Sequence, residues 1–246
     1  VNKTGSYSLT ATSSPALASA ISSTFAIQPG SATQLAFTVQ PPATPAAGAT
    51  MTPAIEVTIE DNLNNVVTGD SATQVTVALT SANGATLSGT TTQTAANGVA
   101  SFGNLSVNKT GSYSLTATSS PTLTSAISSS FAVQPGPATQ LAFTVQPSGS
   151  ATAGAAFLQQ PVVSVEDASG NVVTTDNSTV VTLDRTGGDP SSTLTCTTDP
   201  ITVANGVATF AGCAIDKASL TPYQLTASGS TSATAGPFSS TDVLVS

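Results

Sequence analysis

Apolar residues recur at every second position along this chain, in short runs broken by Gly, Pro, Asn and Asp. Leu35, Phe37 and Val39 alternate with polar or small neighbours, as do Val57 and Ile59, and Val75, Val77 and Leu79. Side chains two apart share one face of a strand, so each run reads as a strand with one buried face and one wet face. No segment sustains the 3.6-residue period of an amphipathic helix. In the central stretch the pattern predicts strands over 32–40, 54–60, 65–69, 73–80, 85–90, 98–107, 111–118 and 125–134. Asn97-Gly98 and Asn205-Gly206 mark tight turns, because both residue types accept the positive φ such turns need. Stretches 60–65 and 166–171 read as a second hairpin turn, in which an Asp side chain bonds backbone N–H groups just ahead of it. Short strands at this density, with a turn signal roughly every 8–12 residues, describe a two-sheet antiparallel sandwich.

The pattern is also repeated. Residues 1–41 return at 107–147, differing only at positions 16, 18, 24, 27 and 31 of the first copy. A period of 106 residues suits one domain per repeat and is too long for a solenoid unit. The division it implies is 1–29, 30–135 and 136–246, with junctions at Gln28-Pro29-Gly30 and Gln134-Pro135-Gly136-Pro137. Short junctions holding Pro restrict the backbone and favour an elongated rod in which each unit advances roughly 35–40 Å. The first piece holds only the last two strands of a unit, and a lone hairpin is marginal in water. Either residues before Val1 complete it in a longer protein, or the hairpin is donated to a neighbouring chain in a fibre or head-to-tail oligomer. The chain has no initiator Met and no signal peptide, and so reads as a piece of a longer protein.

Composition narrows the function. Ser and Thr make up about a third of the residues, while charged residues are 7% against roughly 25% in an average domain. Net charge is −8 with only four cations, Lys3, Lys109, Arg185 and Lys217, which excludes a nucleic-acid partner and docking to anionic lipid. No apolar run reaches the roughly 20 residues of a membrane span, so this segment does not insert in a membrane. The two cysteines, Cys196 and Cys213, fall in the last repeat, and the middle repeat has Gly89 and Leu105 in their places. Two cysteines absent together from the sister repeat read as a disulfide between neighbouring strands, which implies an oxidising compartment.

Catalytic machinery is missing. Without His, no Ser-His or Cys-His nucleophile can be assembled. A glycosidase needs two carboxyls across a cleft, usually with aromatic platforms, and the chain has no Trp and three Tyr. No catalytic residue and no cofactor is therefore expected. Glu60, Asp61, Glu166 and Asp167 are candidate calcium ligands, with Asp70 or Asp176 to add, because hard cations want several oxygens. The competing reading of these carboxylates is turn capping. Asn-x-Ser/Thr triplets at Asn2, Asn104, Asn108 and Asn177 are glycosylation acceptors only in a competent host. Gly187-Gly188-Asp189-Pro190 is an inserted loop with no counterpart in the middle repeat.

Four motifs recur in register: PG-x-AT-x-LAFTVQP, the ED-x-x-(G/N)-N-VVT hairpin, NGVA-(S/T)-F and G-x-Y-x-LTA. Together they resemble the bacterial immunoglobulin-like repeats of surface adhesins and cell-envelope proteins. That resemblance implies tandem all-β sandwiches, and a tyrosine corner at Tyr113 and Tyr7 whose hydroxyl bonds nearby backbone. In the last repeat Ser219-Leu220-Thr221-Pro222 displaces Tyr223 by two residues, so a weaker corner is expected there. The function expected is a non-catalytic extracellular stalk or filament segment whose partners are its own siblings. An adhesin module contacting host surface or glycan, and a spacer of a larger secreted enzyme, are the alternatives.

Overall fold

Val57, Ile59, Val75 and Val77 lose all contact with solvent, as their alternation requires. The computed structural model describes residues 1–230, 238–239 and 241–246, and all regular structure among them is β. Contacts divide the chain into two units. The first is Val1–Pro45 with Ala49–Val133, and the second is Ala46–Gly48 with Gln134–Ser246.

In the first unit, Ile55–Glu60 pairs antiparallel with Val99–Phe102 on one side and Gln34–Val39 on the other. The second sheet runs in the order Ala126–Ile127, Leu115–Ser120, Gln74–Leu79, Thr92–Thr94. The register sets Leu115 opposite Leu79, Ala117 opposite Val77 and Ser119 opposite Val75. Ile55, Phe102, Leu105, Leu115 and Phe131 fill the core, each worth roughly 1.5–3 kcal/mol of burial. Leu35 N–H donates to the Thr124 carbonyl (2.9 Å), so the first strand also covers an edge of the second sheet. A three-stranded sheet of this order with a four-stranded one is the immunoglobulin-type arrangement.

The second unit repeats it. Gln140–Val145, Val162–Glu166 and Val207–Thr209 form one sheet; Ile201–Thr202, Val180–Gly187, Tyr223–Gly229 and Phe238–Ser239 form the other. Ser150–Ala151 pairs in parallel with Leu244–Val245. Phe157, Phe210, Ile215, Tyr223 and Leu225 occupy the core.

Residues 1–29 make the hairpin expected of them. Gly5–Tyr7 pairs with Phe25–Ile27, and Thr10–Ala11 with Ala20–Ile21. Tyr7 opposite Phe25 and Thr10 opposite Ile21 reproduce Tyr113 opposite Phe131 and Thr116 opposite Ile127.

Several expected strands are shorter or absent. The stretch 65–69 makes only a single bridge, Val66 to Glu60, because the chain turns again at Asp70, whose carboxylate caps Ala72 and Thr73. The stretch 98–107 splits around Gly103 and Asn104 into Val99–Phe102 and Ser106–Val107. Thr92–Thr94 was not expected, since Thr90-Thr91-Thr92-Gln93-Thr94 has no apolar alternation. Its pairing with Gln74–Leu79, including a hydroxyl contact from Thr76 to Thr92 (2.8 Å), holds it.

Both tyrosine corners form. Tyr113 hydroxyl donates to the Thr110 carbonyl (3.2 Å) and Tyr7 hydroxyl to the Lys3 carbonyl (3.0 Å). At Tyr223 the expected weakening is not seen. Its ring is fully buried, and its hydroxyl donates to the Lys217 carbonyl (3.0 Å) and accepts from Asp189 N–H (3.2 Å). The inserted loop supplies that second bond. Gly188, in the left-handed region at φ 59°, lies against the ring and leaves no room for a Cβ.

Candidate functional site

The Glu-Asp turns carry the candidate ligands, and both units build them alike. Asp61 Oδ1 accepts the N–H groups of Leu63 (2.9 Å) and Asn65 (3.0 Å), the first two residues on, as a turn-forming Asp should. The Asn65 side-chain amide adds bonds of 3.2 and 3.0 Å to the two oxygens, and Gly30 N–H reaches Oδ2 at 2.8 Å. Asp167 takes Ser169 and Asn171 N–H (both 2.9 Å), the Asn171 amide (3.0 and 2.8 Å) and Gly136 N–H (2.8 Å). Asn64 and Gly170, one place earlier than those amides, both sit at positive φ (58° and 76°), which closes the turn.

The neighbouring glutamates turn to other partners. Glu60 accepts from Thr58 hydroxyl (3.1 Å) and Gln34 amide (3.4 Å); Glu166 accepts from Ser164 hydroxyl (2.7 Å) and Gln140 amide (3.4 Å). Asp70 and Asp176 each cap their own turn, through Thr73 and Thr179. Each of these carboxylates therefore points its oxygens at N–H or O–H donors. A dication at Asp61 or Asp167 would have to displace five donor contacts. Among the described residues no three of His, Cys, Asp and Glu come together as a metal-ion group.

What the turns gain is a stabilised charge. The Asn65 side chain, with the N–H groups of Asn65, Gly30 and Leu63, holds the Asp61 carboxyl far below the usual carboxylate range. At Asp167 burial pushes the carboxyl up, but the bonds from Asn171, Gly136 and Ser169 outweigh it and the net direction is down. Burial is likewise outweighed at Asp70 by Thr73 and Ala72, and at Asp176 by Thr179 and Ser178. A carboxyl depressed by folding contributes stability that is complete above its unfolded value near 3.9 and is lost as pH falls through the folded value. Thermal stability should therefore hold level from about pH 8 to pH 5, since no His titrates there, and fall steeply below about pH 4. Melting curves across that range test it. A transition centred near pH 6 would contradict it.

The inserted loop consumes the cations of the second unit. Arg185 donates through Nε to Ser192 carbonyl (3.0 Å) and through Nη2 to Pro190 carbonyl (2.9 Å), and Lys217 Nζ reaches Ser191 hydroxyl (2.5 Å). Asp189 accepts from Ser191 N–H and hydroxyl (2.8 and 2.7 Å). The Asn-x-Ser/Thr amides serve turns as well: Asn104 accepts from Thr90 N–H (2.9 Å), Asn108 from Thr86 N–H (2.7 Å) and Asn177 from Asn205 N–H (2.8 Å).

Cys196 and Cys213 are bonded (S–S 2.10 Å). They lie one step beyond the Leu194–Ile215 and Thr195–Ala214 pairs of adjacent short strands. The bonds from Asp61 to Gly30 and from Asp167 to Gly136 were not foreseen. Their signal was a constant separation of 31 residues, present in both copies.

No family model matches the chain, and no curated protein matches its sequence. Solved structures do match. The Escherichia coli adhesin FdeC is 15% identical with a TM-score of 0.42, covering 91% of this chain and 68% of that one. The Yersinia pseudotuberculosis adhesin InvE is 19% identical with a TM-score of 0.35, covering 86% of this chain and 58% of that one. A glycosyl hydrolase family 2 member from Bacteroides cellulosilyticus is 12% identical with a TM-score of 0.34, covering 81% of this chain and 23% of that one. At such identities and scores the likeness adds nothing to the strand order described above.

Proposed function

We propose that this chain is a non-catalytic structural segment of a bacterial surface protein, a run of immunoglobulin-like modules that sets distance outside the cell. The observation that carries this reading is the strand-for-strand repetition of one sandwich in two units, with the same turn chemistry at the same places. Side chains that could do chemistry are spent on turns and junction residues, and no His is present to act as base. The disulfide supports an oxidising, extracellular setting. In this reading residues 1–29 close one module, 30–135 form the next and 136–246 the last, with the Pro-containing junctions limiting their swing.

Small-angle scattering tests it. A single compact globule of 246 residues would have a radius of gyration of roughly 18 Å. Modules in line should give a value well above that, with a distance distribution skewed to long vectors. A radius near the globular value would sink the spacer reading.

A further inference from the structure

The hairpin 1–29 and its sister at 107–133 share nearly all their sequence and the same internal register, yet they live in different surroundings. In the sister, Leu115, Ala117 and Phe131 are 0%, 0% and 2% exposed, sealed by Gln74–Leu79 and the sheet behind it. Their counterparts in the first copy are Leu9, Ala11 and Phe25. All three are exposed, Leu9 at 62% and Phe25 at 37%, and Leu9 and Ala11 line a shallow apolar groove with Ala20 and Ile21. The Thr10–Ala11 strand pairs only with Ala20–Ile21, on one side.

The sister shows what fits. There the Leu115–Ser120 strand takes a partner on its other edge, six residues in antiparallel register, with the aliphatic residues of Gln74–Leu79 opposite its inward positions. Moved back by the repeat length, this pairing sets Leu9 opposite a leucine and Ala11 and Ser13 opposite valines. We propose that the open edge of Thr10–Ala11 is a strand-docking site. Its occupant is an extended segment with the Val-x-Val-x-Leu alternation of Gln74–Leu79, supplied by another repeat of this type. The backbone ladder would supply affinity and the aliphatic alternation would supply register. The chain cannot satisfy this edge from its own stock. Its one matching strand in the first unit is already paired on both sides, with Leu115–Ser120 and with Thr92–Thr94. This inference rests on reading the chain as one segment of a longer series of repeats.

The experiment uses the whole chain and a fluorescent peptide with the sequence of residues 70–82. Saturable binding is expected, with slowed amide exchange over residues 9–14 and none gained over 115–120. Leu9→Asp in the chain, or Val75→Asp with Val77→Asp in the peptide, should weaken binding at least tenfold. Leu9→Asp should leave the melting temperature unchanged, so its effect cannot be laid to unfolding. Three results would overturn the proposal: no binding at about 1 mM peptide; equal binding of the Asp-substituted peptide; or sedimentation showing that two copies cover each other's hairpins and the peptide cannot compete. The spacer reading stands or falls separately, on the scattering of the chain alone.

Discussion

Leu115→Ala should destabilise the first unit by about 3 kcal/mol, whereas Leu9→Ala should change it by less than about 0.5 kcal/mol. The two leucines sit at the same place in an identical stretch, Asn-Lys-Thr-Gly-Ser-Tyr-Ser-Leu-Thr-Ala-Thr-Ser-Ser-Pro. Their local bonds match as well: Ser22 hydroxyl accepts Leu9 N–H at 2.9 Å, and Ser128 hydroxyl accepts Leu115 N–H at 2.9 Å. Only the surroundings differ. Leu115 is sealed against the opposite sheet, so truncation removes its transfer energy and leaves a cavity. Leu9 has no such cover, and its truncation removes little. Amide exchange of the slowest protons in the first unit would measure both changes on one scale. A cost of several kcal/mol at Leu9 would mean its face is covered in solution. A silent Leu115 would mean the core is misassigned.

That contrast also marks how far the sequence could be read. The alternation of Val57, Ile59, Val75 and Val77 is a local signal, and burial follows it because a strand has only two faces. The Asn-Gly turns were legible for the same reason: Asn97 and Asn205 take positive φ as the motif requires. Thr92–Thr94 was not legible, because nothing in its own residues prefers a face and its neighbour decides its state. Tyr223 misled for a related reason. Its two-residue shift looked like the loss of a corner, yet the loop at 187–190 lies more than thirty residues away in sequence and closes over the ring. Among the site residues, the Asp turn bonds are local and were foreseen, while the reach of Asp61 to Gly30 and of Asp167 to Gly136 is not local. The calcium reading of Glu60, Asp61, Glu166 and Asp167 came from counting oxygens. Counting says nothing about the donors that claim them.

Replacing both Cys196 and Cys213 by Ser should cost the second unit about 3 kcal/mol on the chain-entropy account of a loop this short. For a domain near this size that is a fall of roughly 15 °C in melting temperature, and the first unit, which has no cysteine, should not move. The first unit meets the same structural need by other means. Leu87–Ser88 pairs with Ser106–Val107, and the next step of that register brings Gly89 opposite Leu105, as Cys196 stands opposite Cys213. Met51 N–H donates to the Leu105 carbonyl (2.8 Å), and Phe157 N–H to the Cys213 carbonyl (2.9 Å), so the backbone frame is shared. Leu105 is fully buried, and Gly89 leaves no room for a Cβ beside the Asn104 carbonyl. One unit thus fills the position with apolar volume, and the other crosses it with a bond. Cys196→Gly with Cys213→Leu should therefore recover more stability than the double Ser variant, since burying a leucine contributes roughly 1.5–3 kcal/mol. Calorimetry resolving the two units would decide this. Equal melting of the Gly/Leu and Ser/Ser variants would show that the two positions are not interchangeable solutions.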